Sequence, residues 1–339
     1  LTRVLRDRDA DPSLLEGVKI GVVGFGNQGQ AQALCLRDSG LDVLVFVRRG
    51  GPSEPRARAH RFEPRRPDEI HGCGVIALLV PDEAQPEVVE TLVRPYAPAG
   101  AMIVFAHGFA LRHGGAVVRE DLDSVLVGPL GPGALLRSRY EAGSGLAGLF
   151  AVVRDATGHA RQRALAYSAA LGLTRAGLLP TTLDEEVVSD LFAEQAVMCG
   201  GVVELVRAAW ETLVADGISE EIAYYSCVQE LKQILDLVHA EGPAGMRART
   251  SGTAQYGGLT RGPRLVGDAV REELRRVLDE VRSGRFAAEW IEEHTRGGAR
   301  LEALRDAEAS HPMETAGRRV RRTLGGAPAE GVDSPGPET

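Results

Sequence analysis

Six short apolar runs punctuate the first half of the chain, at residues 18–25, 41–47, 74–80, 101–106, 124–130 and 149–153. A strand with one wet face alternates apolar and polar side chains. These runs are apolar nearly throughout, so both of their faces must be covered. Helix-forming stretches fill the intervals between them. The fold class this dictates is α/β: a Rossmann-like, doubly wound parallel sheet.

Near residue 181 the pattern changes. From there to about residue 322 the apolar spacing is helical, with expected helices at 184–200, 201–215, 219–240, 266–282, 284–295 and 298–309. A glycine-rich stretch, 242–262, is read as interrupting them. The division expected is a dinucleotide-binding domain over 1–181, an all-helical domain over 182–325 and a disordered Pro/Gly/acidic tail over 326–339. A length of 339 residues suits two domains.

Composition narrows the partners. A net charge of −8 argues against nucleic acid or an anionic membrane surface. No apolar run reaches the length of a membrane span, and the first ten residues lack a signal peptide's apolar core, so a soluble cytoplasmic enzyme is expected. The four cysteines, Cys35, Cys73, Cys199 and Cys227, show no paired spacing for a disulfide scaffold or zinc. Lys19 and Lys232 are the only lysines among 39 basic residues, which leaves two positions for a lysine of catalysis.

The first apolar run closes on Gly24-Phe25-Gly26-Asn27-Gln28-Gly29, a GxGxxG pattern that also opens the first helix. Between a strand and a helix this pattern binds dinucleotides. Gly24 allows the tight turn, Gly26 lets backbone approach a pyrophosphate, and Gly29 permits close helix–strand packing. The helix N-terminus then offers N–H groups to the phosphates. At the end of the second run, where an acidic residue would select NAD, stand Arg48, Arg49 and Ser53. Guanidinium and hydroxyl donors suit a 2′-phosphate, so NADPH is favoured over NADH. Glu54 and Pro52 oppose that choice, and two solvated arginines on a surface loop are the competing reading.

Asp190 and Glu194 are four apart on an expected helix, with Glu186 one turn earlier on the same stripe. Carboxylates gathered in this way repel unless a cation lies between them, which suits Mg2+; the competing reading is a solvated acidic face.

Further segments combine with these. They include Pro81-Asp82-Glu83-Ala84-Gln85, Ala106-His107-Gly108-Phe109, Gly128-Pro129-Leu130-Gly131-Pro132-Gly133 and Thr174-Arg175-Ala176-Gly177. Asp190-Leu191-Phe192-Ala193-Glu194-Gln195, Cys199-Gly200-Gly201, Glu230-Leu231-Lys232, Gly257-Gly258 and Gly262-Pro263-Arg264 continue the series. In this order and spacing the chain resembles the short-chain class of ketol-acid reductoisomerases over residues 10–322.

The resemblance implies a knotted helical domain and active sites shared between two subunits, hence a homodimer or higher oligomer acting on a small molecule. It implies Mg2+-dependent alkyl migration in a 2-acetohydroxy acid followed by reduction with NADPH, in branched-chain amino-acid biosynthesis. It places Asp190, Glu194 and Glu230 as metal ligands, His107, Glu230 and Ser251 in catalysis, and Asp82, Gln85 and Gly133 beside the cofactor.

Two departures fall on the reaction centre. Leu130 stands where the family has lysine, and Ser226 where it has a second glutamate one turn before Glu230. Ala134, Gln229, Gly252, Val187 and Val188 are smaller departures. Alkyl migration needs charge stabilised on adjacent oxygens, whereas hydride transfer needs a positioned nicotinamide and a polarised acceptor. The expectation is therefore an NAD(P)H-dependent reductase of a C=O, C=N or C=C acceptor in specialised biosynthesis, with the isomerase step lost or weak. Its alternatives are a genuine ketol-acid reductoisomerase and a non-catalytic nucleotide-binding homologue.

Overall fold

The structure is a computed structural model that describes residues 3–323. The expected tail at 326–339 lies outside the described residues. The chain divides into two compact units, Leu1–Ser189 and Asp190–Thr339.

The first unit is built on a seven-stranded sheet in the order β2-β1-β3-β4-β5-β6-β7. Its strands are β1 (Lys19–Val23), β2 (Asp42–Phe46), β3 (Val75–Leu78), β4 (Met102–Phe105), β5 (Asp123–Pro129), β6 (Gly148–Arg154) and β7 (Leu178–Pro180). Strands β2, β1, β3, β4 and β5 are mutually parallel. Alternate residues feed opposite layers: Val75 and Ala77 join one buried cluster, and Ile76 and Leu78 the other. This two-sided burial is why the runs carry no polar phase. Burying each Val, Ile or Leu among them contributes about 1.5–3 kcal/mol.

Two features depart from the expected sheet. β6 runs antiparallel to β5, with Gly148 opposite Pro129. The chain leaves β5 there, makes the helix Gly133–Glu141, and returns to the same edge before pairing. Apolar continuity reports burial and carries no information on strand direction. β7 is a further strand of three residues, parallel to β6 and too short to leave a periodic signal.

The second unit has helices and no strand among its described residues. Two expected helices are interrupted by π-helical turns, at Glu194–Met198 and Tyr225–Gln229. The glycine-rich stretch does break the helix at Gly242, as expected, but beyond that break it is largely helical, which the reading of 242–262 as an interruption did not anticipate. Glu230–Ala248 bends at Gly242, where φ is 72°, and Gly252–Leu265 follows with Ser251 capping it. Its core gathers Trp210, Ala223, Tyr224, Met313, Ala316 and Val320. Gly317 lets two helices touch there, since a Cβ would fall 2.6 Å from the Tyr224 ring.

A candidate cofactor and metal site at the carboxyl edge of the sheet

Strand β1 has β2 on one side and β3 on the other, so successive connections leave it in opposite directions. In sheets of this kind ligands bind outside the carboxyl ends of the strands at that switch point. The residues following β1, β2, β3, β4 and β5 are five of the segments singled out in the sequence.

The fingerprint turn is fastened to its neighbours. Gly24 donates its N–H to Phe46 O at 2.9 Å, and Leu79 donates to Val23 O at 2.8 Å. At Gly24 φ is +96°, and a Cβ there would lie 2.6 Å from Leu79 O, so glycine is required twice over. A Cβ on Gly29 would lie 2.4 Å from Gly24 O, which is the close helix–strand approach. Gly26, by contrast, faces open space, with no atom within 4 Å of an added Cβ. That vacancy against bare backbone is what a pyrophosphate needs, and the helix Asn27–Asp38 begins directly beyond it. The cradle fits a dinucleotide. Phe25 contributes backbone alone, because its ring is fully buried against Phe62 at 5.6 Å between centroids.

The loop after β5 is locked onto this turn. Gln28 Nε2 donates to Gly131 O at 3.0 Å, and a Cβ on Gly133 would strike Asn27 O at 2.1 Å. Gln28 is itself held from behind: Gln32 donates to its Oε1 at 3.3 Å, and the buried Tyr167 hydroxyl donates to Gln32 at 2.8 Å. Leu130 rides on this loop, about half exposed. Arg48 and Arg49 are exposed after β2, and Ser53 starts a helix, its hydroxyl accepting from Arg56 at 3.1 Å.

After β3, Gln85 is buried and its amide donates to Asp82 Oδ1 at 2.9 Å. Asp82 Oδ2 lies 3.3 Å from His107 Nδ1 at the end of β4. His107 Nε2 lies 3.9 Å from Glu186 Oε1. Glu186 is 4% exposed, and its other oxygen accepts the Gly108 N–H at 3.2 Å. Gly108 makes this possible: a Cβ there would meet Leu183, Val187 and Glu186 within 3 Å. Arg112, paired with Asp184 at 2.6 Å, pins the start of the same helix.

That helix, Leu183–Ala193, carries Asp190 one turn beyond Glu186. One ligand atom of Glu186 lies within 4.8 Å of one on His107, and another such pair joins Glu186 to Asp190. The carboxylate oxygens of Glu186 and Asp190 are hard donors of the kind Mg2+ or a similar dication takes, and the His107 imidazole stands beside them. Glu186 was legible only as part of an acidic stripe; its burial against Gly108 comes from the fold.

The remaining expected residues lie in the second unit. Glu194 opens the first π turn, and Cys199 and Gly200 both donate to its carbonyl, at 2.8 and 3.1 Å. Cβ atoms on Gly200 and Gly201 would fall 2.1 Å from the carbonyls of Gln195 and Ala196, so this wide turn accounts for the glycine pair. Glu230 follows the second π turn, which contains Ser226, and both are exposed. Ser251 Oγ accepts the Ala254 N–H at 3.2 Å as a helix cap. Turns of this kind are frequent at functional sites.

Comparison with known proteins follows the same division. Residues 14–177 match the family model described as acetohydroxy acid isomeroreductase, NADPH-binding domain. Residues 183–325 match that described as ketol-acid reductoisomerase, C-terminal domain. Among solved structures, the chain is similar to an NADH-preferring ketol-acid reductoisomerase from an uncultured archaeon. The two are 40% identical with a TM-score of 0.91, over 94% of this chain and 98% of that one. An NAD-binding semialdehyde dehydrogenase protein from Cupriavidus necator shares the fold at 17% identity and a TM-score of 0.61, over 78% of this chain and 99% of that one. An oxidoreductase from a Jannaschia species does so at 15% and 0.59, over 81% and 98%.

Proposed function

Because the chain belongs to the ketol-acid reductoisomerase family and is thereby an NAD(P)H-dependent oxidoreductase, we propose that it catalyses the family's reaction, alkyl migration in a 2-acetohydroxy acid followed by reduction. The observation that carries this reading is the convergence of Asp82, His107 and Glu186 beside the fingerprint, with Asp190 one turn further along the helix. A bound dication would polarise the substrate's adjacent oxygens, and NAD(P)H would supply the hydride.

The chain's own residues handle position and protons. Glu186 and Asp190 would hold the cation, with Glu194 on the same stripe. The two ring nitrogens of His107 face different carboxylates. A proton on Nδ1 meets Asp82, whereas a proton on Nε2 points toward Glu186 while Nδ1 accepts the Phe109 N–H at 3.4 Å. An imidazole so placed can deliver or remove a proton at the reacting oxygen.

Glu230 and Ser251 complete the site from a second copy in this reading. Support comes from the helical unit's exposed apolar side chains, among them Met198, Leu205, Ile222, Leu259 and Leu265. Such a surface suits a partner. Light scattering at micromolar concentration is expected to give at least a dimer. Among the described residues no helix is long and apolar enough to cross a membrane.

A second reading rests on two residues. Leu130 and Ser226 offer neither the cation nor the anion that the resemblance places there, so a reductase with a slow or absent isomerase step is its content. One assay separates the two. Purified protein receives Mg2+, NADPH or NADH, and either 2-acetolactate or the 3-hydroxy-2-keto acid that migration would yield. Turnover of both supports the family reaction. Turnover of the keto acid alone supports the second reading, turnover of neither refutes the family reaction, and failure also with a panel of ketone and imine acceptors refutes both.

A further inference from the structure

A chain of hydrogen bonds runs through the apolar layer of the first unit to the cofactor cradle. Gln32 and Tyr167 are both fully buried, Gln32 on the helix Asn27–Asp38 and Tyr167 on the helix Ala160–Ala170. Ala31, Ala33, Leu34 and Leu165 beside them belong to one hydrophobic cluster, where an amide is costly unless both its ends are bonded. Both ends of Gln32 are. Tyr167 Oη donates to Gln32 Oε1 at 2.8 Å, Gln32 Nε2 donates to Gln28 Oε1 at 3.3 Å, and Gln28 Nε2 donates to Gly131 O at 3.0 Å. Gln28 and Gln32 meet because they stand one turn apart on the same helix.

The sense of the chain is set at its far end. The Gly131 carbonyl can only accept, so Gln28 must present its nitrogen to the loop and its oxygen to Gln32. Gln32 must then turn its own oxygen toward Tyr167, where only a donor can stand. Burial pushes the Tyr167 phenol up, so it keeps its proton and stays that donor. The loop held in this way has far to come. Two strands, β3 and β4, lie between β1 and β5, so the segment after β5 crosses to the fingerprint turn before the helix Gly133–Glu141 begins. Its arrival is fixed at two points, Gly131 by Gln28 and Gly133 by its packing on Asn27. The first of these is a polar bond that depends on the chain behind it.

We infer that Tyr167 and Gln32 are positioning residues for the dinucleotide: acting through Gln28, they hold the loop after β5 against the fingerprint turn at the spacing a bound cofactor requires. Being fully buried, neither reaches the cofactor itself. This rests on the reading that the fingerprint cradles the dinucleotide.

Calorimetric titration of the whole protein with NADPH and with NADH, alongside thermal denaturation, tests it. Tyr167→Phe keeps the ring and removes the donor, and Gln32→Met keeps the length and removes the amide. Each is expected to weaken both dinucleotides about three- to tenfold. The double variant is expected to bind no more weakly than Gln32→Met alone, because the hydroxyl acts only through that amide. It is also expected to recover Tm relative to Tyr167→Phe, since apolar groups in both places leave no buried acceptor stranded. Ser168→Ala removes a buried hydroxyl whose bond, to Ala164 O at 2.7 Å, stays within the helix of Tyr167, and is expected to leave both affinities unchanged. Losses of affinity that follow Tm across these variants, or that multiply when the two changes are combined, overturn the inference, as does unchanged affinity in Tyr167→Phe. Failure of the unaltered protein to bind either dinucleotide overturns instead the cofactor reading beneath it.

Discussion

Replacing Gly108 by alanine is expected to loosen the fold and disable the site through one methyl group. An added Cβ would stand 2.4 Å from Leu183 Cδ1, 2.6 Å from Val187 Cγ2 and 2.9 Å from Glu186 Oε2. Carbon atoms pack best at about 3.5–4.0 Å, so the helix Leu183–Ala193 must retreat by about 1 Å. Overpacking of this kind costs about 1–3 kcal/mol. Alanine suits the backbone here, where φ is −90° and ψ is 1°, and Gly→Ala lowers unfolded-state entropy by about 0.4–1 kcal/mol. The net is a loss of about 1–2 kcal/mol, which in a unit of this size lowers Tm by about 2–8 °C. The same retreat lengthens the 3.2 Å bond from Gly108 N–H to Glu186. A 1 Å displacement of positioned groups can cost about 10²-fold in rate. Urea denaturation and steady-state turnover measure the two effects. Gly72→Ala, whose added Cβ has only a 4.0 Å contact with Lys19, is the control. Unchanged stability, within about 0.5 kcal/mol, together with unchanged turnover in Gly108→Ala would refute the packing argument.

Asp123 is fully buried and accepts the N–H groups of Ala156 and Thr157 at 2.8 and 3.0 Å, with Arg163 at 3.4 Å. Asp123→Ala leaves the Ala156 and Thr157 N–H groups without their acceptor, while Arg163 keeps the carbonyls of Gly100 and Gly74, so a loss of about 2–4 kcal/mol is expected in denaturant titration; a loss below about 1 kcal/mol would show the carboxylate to be dispensable. Burial pushes the Cys35 and Cys73 thiols up to about 11. Both are expected to resist thiol reagents at pH 8 until the protein is unfolded, while the exposed Cys199 reacts first, though slower than a free thiol because partial burial and the Glu194 and Asp190 carboxylates push its thiol up as well. Since the unfolded thiols ionise near 9, their contribution to stability is complete below that pH and disappears as pH rises toward 11; a denaturation midpoint indifferent to pH across 9–11 would contradict it. Leu130→Lys with Ser226→Glu restores one cation and one metal-binding anion, and is expected to raise 2-acetolactate turnover at least tenfold. No gain would mean those two residues do not limit migration.

The apolar runs were sufficient for the layered sheet because burial on two faces leaves no room for polar phase, and GxGxxG was sufficient for the cradle because Gly24 and Gly29 answer local steric constraints while Gly26 leaves the backbone between them bare. Helix boundaries in the second unit were less legible. A π turn shifts the hydrogen bond by one residue without altering composition, and the glycines of 242–262 read as breakers although their neighbours favour helix. Glu186 shows the same limit: an acid on a helical stripe looks solvated until a particular glycine brings that helix against β4.

What the sequence alone determined is therefore whatever depends on near neighbours: most of the strand and helix content, the dinucleotide turn, and the acidic stripe that carries Asp190 and Glu194. The order of residues also carried the family, since its motifs recur at matching intervals. Tertiary structure decided which distant groups share a site. Asp82, His107 and Glu186 stand apart along the chain and meet because parallel strands end at one edge, where Gly108 lets a helix close. It also decided that Glu54 bonds back to Gly50, turning a loop that reads as basic into one that holds both charges, because a chain reversal is set by hydrogen bonds rather than by composition.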